Sequence, residues 1–371
     1  MTKPLITALV DTYNHERCIE QAIVSILEQG LPTADMEIIV VDDGSTDRTP
    51  EIIRKFEPRV RMIRKANGGQ ASAFNAGIAE ASAEIVAFLD GDDWWVKGKV
   101  EAVLEAFAKN PSIAAVGHGL FEVLNDAPTG EMLVAKELVF LDLSSVEAAR
   151  IASLGRMLLG TSRLAVRRHV LAQVGPLPLE LVYAADTPIL VLALALGGAL
   201  ILEQPLCYYR LHTPDPARAG TVRSKASAGD SHHSFVEARD YEFTKLLLKI
   251  LPQRLGEIGV PAEIIAAFLE PDRIDLERFE LRHHGGGRWR TLKAEARSFR
   301  WSYKGATVGY KGFRGLVGAL ALILGPERFY QLRDWYAKQK NLQRSRGILG
   351  SAEPTVPLTV LQRRPVPTRK V

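Results

Sequence analysis

The apolar positions of the first hundred residues change period in a regular order. Leu5 to Val10 form a β-rich apolar run suited to a buried strand, and Ile19, Ala22, Ile23, Ile26 and Leu27 then recur at helical spacing until Gly30 offers a stop. Met36–Val41 predicts a second buried strand, and Asp47 with Pro50 predicts the capped start of a second helix. Val60–Arg64 reads as a third strand, Gln70–Ala81 as a helix of small residues, Glu84–Leu89 as a fourth strand and Val96–Ala108 as another helix. Strands alternating with helices predict an α/β protein with a mostly parallel sheet covered on both faces.

Beyond residue 150 the pattern loosens. Helices are expected at Ser153–Leu159 and Pro188–Leu196 and a strand at Ala199–Tyr209; the Pro/Ala/Gly/Ser-rich Thr213–Ser231 stretch reads as a mobile loop or linker. Residues 234–251 and 261–282 look helical. The organisation expected is a sheet domain over 1–215 with halves at 1–110 and 111–215, a linker at 216–232, a helical basic region at 233–350 and a disordered tail at 351–371. No internal repeat is present.

Composition narrows the class. Of 371 residues, 47% are hydrophobic and 24% charged, so most of the chain has the apolar content to fold. Cys18 and Cys207 are too few for a disulfide framework or a structural zinc site, which suits a reducing, cytoplasmic compartment. The runs Ile189–Leu202 and Leu316–Leu324 fall short of the roughly 20 apolar residues of a spanning helix, and no export signal is expected. Charge is split: residues 271–371 hold 21 Lys and Arg against 8 Asp and Glu, and residues 1–270 hold 26 against 35. The two parts therefore suit different partners.

In parallel sheets ligands bind beyond the carboxyl ends of the strands. Those places here hold Asp11-Thr12-Tyr13-Asn14, Asp42-Asp43-Gly44-Ser45-Thr46-Asp47, Asn67-Gly68-Gly69-Gln70 and Asp90-Gly91-Asp92-Asp93, so four strand ends should form one acidic cleft. Three carboxylates on one turn repel unless a cation compensates, and hard oxygen ligands suit Mg²⁺ or Mn²⁺ bridging to a pyrophosphate. The alternative is that Asp92 or Asp93 only caps the next helix. Asp42 and Asp43 offer acceptors for a base N–H or a ribose hydroxyl, against a plain Asp-Gly-Ser turn; Asp47 is assigned to capping. Asn67-Gly68-Gly69-Gln70 opens a helix whose free N–H groups and amides can meet sugar or phosphate oxygens. The first strand–helix turn has no Gly-x-Gly-x-x-Gly and the chain has no Gly-Lys-Ser/Thr loop, which disfavours a dinucleotide dehydrogenase and a P-loop NTPase.

Thr12-Tyr13-Asn14, Val41-Asp42-Asp43-Gly44-Ser45-Thr46-Asp47, Asn67-Gly68-Gly69 with Ala73, Asn75 and Gly77, and Leu89-Asp90-Gly91-Asp92-Asp93-Trp94 follow one another in an order and spacing that resemble the family 2 glycosyltransferases of GT-A fold. The resemblance covers residues 5–110. It implies inverting transfer from a nucleotide-diphospho-sugar, commonly UDP-linked, with a divalent metal; residues 1–110 then bind the nucleotide-sugar and 111–215 the acceptor. It makes Asp43 the base-recognising acid with Asp42 beside it and Thr12 near the uracil. Asp92 becomes the main metal ligand, with Asp90 and Asp93 contacting donor sugar, ribose or metal. Two positions depart from the family: Asp11 stands where proline is usual, and Ala185-Asp186 where Glu-Asp is frequent.

Inversion needs a carboxylate to take the acceptor hydroxyl's proton, and Asp186 is the candidate base; Asp186-Thr187-Pro188 also reads as a helix N-cap. Tyr209-Arg210-Leu211-His212 resembles the family segment that supplies a metal- or diphosphate-contacting histidine, His212, and the loop after it could then cover the donor. From Pro326 on, Phe329, Leu332, Trp335 and Tyr336 share a helical face among Arg328, Arg333, Lys338 and Lys340, with Trp301, Tyr303, Tyr310 and Phe313 upstream. Such a segment suits either an anionic membrane surface or packing against the rest of the chain. No nucleic-acid reader motif accompanies the charge, so no nucleic acid is expected.

The expectation is a non-processive transferase that uses a UDP-sugar and Mn²⁺ or Mg²⁺ to extend a saccharide or lipid-linked saccharide of the cell envelope or an exopolysaccharide. It would be cytoplasmic or peripheral on the inner face of the cytoplasmic membrane. Non-processivity follows from the lack of a spanning channel and of a Gln-x-x-Arg-Trp segment. A nucleotidyltransferase forming the nucleotide-sugar, and a catalytically silent nucleotide- or carbohydrate-binding protein, remain alternatives.

Overall fold

The computed structural model describes residues 3–124, 126–211, 238–302, 319–330, 332 and 361–365. His212 and the Thr213–Ser231 stretch lie outside them, as do Tyr303, Tyr310, Phe313, Trp335 and Tyr336. The chain divides into two compact units, one of residues 1–144, 155–228 and 360–371, the other of residues 145–154 and 229–359.

The first unit is built on a mixed sheet. Strands β1 (Ile6–Thr12), β2 (Met36–Asp42), β3 (Arg61–Arg64) and β4 (Ile85–Asp90) alternate with helices α1 (Ile19–Leu27), α2 (Thr49–Arg54) and α3 (Gln70–Glu80). They pair in parallel in the order β3-β2-β1-β4. The continuous apolar runs are explained by burial on both faces: Ile6, Ala8, Leu9 and Val10, and Ile39, Val40 and Val41, are fully buried. Each of these Ile, Leu and Val side chains contributes about 1.5–3 kcal/mol. Phe88 packs on Phe74 with ring centroids 5.1 Å apart, so Phe88→Ala removes the tie between β4 and α3.

The rest of the sheet departs from a simple alternation. A two-residue strand β5 (Trp94–Trp95) precedes α4 (Lys99–Lys109), so the helix expected from Val96 begins three residues later. Strands β6 (Ala115–Leu124), β7 (Ala127–Ala135), β8 (Val139–Leu141), β9 (Ala165–Arg167) and β10 (Ala199–Leu211) complete it with the helices α6 (Arg168–Val174) and α7 (Asp186–Leu196). β9 joins antiparallel to both β4 and β6, while β10 runs parallel to β6 and antiparallel to β5 and β8. Two 3₁₀ turns, Arg156–Leu159 and Thr161–Arg163, lead into β9. The helix expected at Ser153–Leu159 is instead α5 (Val146–Gly155) followed by the first of these turns. Residues Leu361–Pro365, inside the stretch expected to be disordered, form β11 antiparallel to β7.

The second unit is helical: part of α5, then α8 (Ala238–Glu257), α9 (Ala262–His283), α10 (Arg288–Ser302) and a helical run over 319–330. Leu281, Ala294, Ala321, Phe329 and Tyr330 form a buried cluster with Leu324 against it. Phe329 thus belongs to this unit's core, whereas Leu332, expected on the same face, is exposed. Among the described residues, no helix is long and apolar enough to cross a membrane.

Candidate active site

Parallel pairing brings the carboxyl ends of β1, β2 and β4 to one edge, with Asp11 opposite Asp90 and Thr12 opposite Asp42. The Asp43 N–H continues the ladder by donating to the Thr12 carbonyl at 2.9 Å. Asn14 (φ 56°), a residue type that tolerates left-handed backbone, donates its N–H to Ser45 Oγ at 2.9 Å and accepts from Thr46 N–H at 2.8 Å. Thr12, Asn14 and the 42–47 turn are therefore one wall, with Tyr13 half-buried beside it.

Asp42 is fully buried; its Oδ1 accepts the Ser45 N–H at 3.0 Å and its Oδ2 lies 3.1 Å from Arg64 Nε. Asp43 accepts from Lys65 Nζ at 2.6 Å and from the N–H groups of Gly68 (3.1 Å) and Gly69 (2.7 Å). The N–H groups of Gln70 and Ala71 donate to the Val182 and Leu181 carbonyls. The amides expected to be free for phosphate are thus taken up by the fold, because an acidic strand end and a passing loop already cap α3. Gly69 is required here: its φ is +81°, and a Cβ would sit 2.6 Å from Val182 Cα. Asn67 stays exposed. Asp47 does not hold the cap position of α2, which is Arg48; its Oδ1 instead accepts the N–H of Thr49, the helix's first residue, at 2.9 Å.

The ligand atoms of Asp90, Asp92 and Asp93 lie within 4.8 Å of one another. Asp93 is anchored: its Oδ2 accepts from Ser162 Oγ at 2.6 Å and its Oδ1 from the Arg210 N–H at 2.8 Å. Arg210 Nε donates to the Asp92 carbonyl, and its guanidinium pairs with Asp126 and lies over Trp94. Gly91 lets the turn pass Thr12, for a Cβ there would meet Thr12 Oγ1 at 2.7 Å. Gln70 Nε2 donates to Asp90 Oδ1 (3.0 Å) and Asp11 Oδ2 (3.3 Å) while its Oε1 accepts the Ala185 N–H (3.0 Å).

Asp11 is pushed well above the usual carboxylate range, first by burial and then by the charges of Asp90 and Asp92, although the Gln70 hydrogen bond opposes this. Its Oδ1 is buried without a hydrogen-bond partner. That excess of negative charge and the all-oxygen donor set fit a divalent cation such as Mg²⁺ or Mn²⁺.

Asp186 opens α7, but it does not cap it: its Oδ2 instead accepts from the Thr161 N–H (2.7 Å) and Thr161 Oγ1 (3.1 Å). The helix-cap reading is overturned because Ala185 occupies the cap position and its N–H is directed to Gln70. Ala184 before it holds φ at 49°, a strained conformation for alanine. Thr161, Ser162 and Lys65 carry no motif spacing, and sequence reasoning missed their part in the site; Arg210 lies in the Tyr209–His212 segment, but that segment was read for its histidine and not for the arginine.

Residues 7–132 match the model of the family described as Glycosyl transferase family 2. The chain carries a family 2 glycosyltransferase domain. It is 34% identical over 217 residues to an uncharacterized glycosyltransferase of Nostoc sp., covering 56% of this chain and 65% of that protein. To the uncharacterized glycosyltransferase EpsJ of Bacillus subtilis it is 38% identical over 129 residues, covering 34% of this chain and 37% of the other. The match thus spans less than two thirds of each relative. The chain also has a fold neighbour, S. aureus TarS 1–349 in complex with UDP-GlcNAc, with TM-score 0.51 and 20% identity over 80% of this chain and 89% of that one. The glycosyltransferase domain is of the α/β, GT-A type that the motifs imply.

Proposed function

We propose that the protein is an inverting, metal-assisted, non-processive glycosyltransferase that moves a sugar from a nucleotide-diphospho-sugar, UDP-linked by preference, to a saccharide or lipid-linked saccharide of the cell envelope or an exopolysaccharide. The observation that carries this reading is the acidic turn Asp90–Asp93 at the sheet's carboxyl edge, joined by hydrogen bonds through Thr161–Ser162 to Asp186. The names of relatives such as the putative teichuronic acid biosynthesis glycosyltransferase TuaG of Bacillus subtilis, 39% identical over 107 residues, support the acceptor class. The UDP-GlcNAc carried by TarS supports the donor class.

In this mechanism Thr12, Tyr13, Asn14, Asp42 and Asp43 form the nucleotide wall, with Asn67, Gly68, Gly69, Gln70 and Gly91 shaping its floor. Asp92, with Asp90 and Asp93, would hold Mn²⁺ or Mg²⁺; a bound divalent cation neutralises charge on the departing diphosphate. Asp186 takes the proton of the acceptor hydroxyl as its oxygen bonds to the anomeric carbon and the bond from that carbon to the diphosphate oxygen breaks. His212 is kept as a further contact to metal or diphosphate.

An anionic membrane surface is proposed as a second partner. In the helical unit Trp289 and Ile323 are 68% and 66% exposed and Arg288 and Lys293 are exposed, whereas Arg290 and Arg297 are paired with Glu277, Glu280 and Glu270. Co-sedimentation with anionic but not neutral vesicles tests it, and loss of the difference in Trp289→Ala is expected.

Transfer by the purified protein from a panel of UDP- and GDP-sugars, with and without Mn²⁺, tests the activity. Thermal stabilisation by UDP with Mn²⁺ is expected first. Release of pyrophosphate would instead identify a nucleotidyltransferase, and binding without turnover a silent binding protein.

A further inference from the structure

The 3₁₀ turn Thr161–Arg163 touches both halves of the proposed chemistry. Thr161 gives two donors, N–H at 2.7 Å and Oγ1 at 3.1 Å, to a single oxygen of Asp186. The next residue, Ser162, turns its hydroxyl the other way: Oγ accepts the Asp90 N–H at 3.1 Å and donates to Asp93 Oδ2 at 2.6 Å. One peptide unit therefore separates the partner of the candidate base from the partner of the acidic turn.

The turn is itself fixed from behind. Lys99 is fully buried on α4, and its Nζ donates to the Ser162 carbonyl at 2.8 Å while lying 4.2 Å from the Trp95 ring centroid. Thr161 and Ser162 are both buried, 5% and 2% exposed, so the turn itself is shielded from water, while Asp186 is half-buried. A buried lysine costs desolvation that a hydrogen-bonded carbonyl and an aromatic face offset; here the carbonyl belongs to the three-residue turn and the face to Trp95 of β5.

We propose that Thr161 and Ser162 form a bracket that holds Asp186 and the Asp90–Asp93 turn in fixed register. Both are positioning residues, acting through the carboxylates they hold. Ser162 sets the shape of the acidic turn and so its cation affinity; Thr161 sets where Asp186 points and so the rate of transfer. The proposal rests on the transferase reading for its kinetic readout only.

The test uses the full chain and Mn²⁺ alone as the binding probe, followed by turnover with the donor that gives most transfer. Ser162→Ala is expected to weaken Mn²⁺ binding at least about tenfold, as loss of a carboxylate's supporting partner does elsewhere. Thr161→Val keeps the volume and the backbone donor; it should bind Mn²⁺ like the unaltered protein, keep its donor KM and lose about tenfold or more in kcat, while Thr161→Ser restores kcat. Wild-type Mn²⁺ affinity in Ser162→Ala, or wild-type kcat in Thr161→Val, overturns the bracket. If Ser162→Ala does not fold, Ser162→Cys, which keeps the shape with a weak donor, takes its place. Absence of transfer by the unaltered protein sinks the transferase reading, and the Mn²⁺ comparison still decides the Ser162 arm; absence of Mn²⁺ binding sinks both.

Discussion

Two acids, the buried Glu295 of the helical unit and the half-buried Asp11 of the sheet unit, are accommodated by opposite means. In the helical unit Glu295 is 3% exposed and receives both arms of Arg278, Nε at 2.8 Å and Nη2 at 2.9 Å, with Asp275 and Tyr330 nearby. Burial alone would weaken the hold of Arg278 on its proton; the Glu295 and Asp275 carboxylates outweigh it and raise its pKa. In the sheet unit Asp11 meets the amide of Gln70 and the like charges of Asp90 and Asp92, which push it toward the neutral form. The helical unit closes its charge within itself. The sheet edge gathers the like charges of Asp90, Asp92 and Asp93, an all-oxygen donor set suited to a divalent cation.

The largest separation between the two should come from substitution of the carboxylates proposed to hold the metal and to take the acceptor's proton. Asp92→Asn and Asp186→Asn are each expected to cut transfer by roughly 10²-fold or more while leaving the melting temperature near that of the unaltered protein, read by turnover and calorimetry together. Full activity in either variant removes that residue from the mechanism. Next in size, Glu295→Ala leaves the buried Arg278 with only Asp275 as its carboxylate partner and should cost about 3 kcal/mol in the unfolding of the helical unit. Urea unfolding followed by Trp fluorescence measures it, and a loss below 1 kcal/mol would show that the pair is not closed as described.

A third prediction concerns the pH response. Burial lowers the Lys99 pKa from 10.5 to about 7, so between those values the unfolded chain binds the extra proton and stability rises with pH, by about 1.4 kcal/mol per unit at most. Lys99→Met should flatten this rise between pH 7.5 and 9.5; a slope equal to that of the unaltered protein would contradict the burial of Lys99. The smallest effect is expected from Asp11→Asn, which replaces an acid already driven toward neutrality and should change stability by under about 1 kcal/mol at pH 7. A loss as large as that of Glu295→Ala would erase the contrast between the two acids.

What was legible in the sequence follows the physics of each region. β1, β2 and β4 were readable because strands buried on both faces leave largely apolar runs, and Asp11, Asp42 and Asp90 were readable because they end those runs. Trp94–Trp95 was hidden because a two-residue strand has no period, and β7 because Ala127–Ala135 is exposed along its first four residues. The partners of the carboxylates were out of reach for another reason. Ser162 meets Asp93 across 69 positions and Arg210 meets Asp93 across 117, contacts that only tertiary packing creates. The Gly68 and Gly69 amides look available in sequence and are taken in space, since nothing local tells that Asp43 turns toward them.

The pairing of β11 with β7 has a practical side. Removing the residues after 350 would look like trimming a tail, yet it would peel Leu361–Pro365 from β7 and open a ladder of unsatisfied backbone groups along Glu131–Ala135. A shortened protein would carry a sticky sheet border that a neighbouring chain can extend, so self-association of such a truncation would reflect a lost border strand and not a damaged catalytic centre.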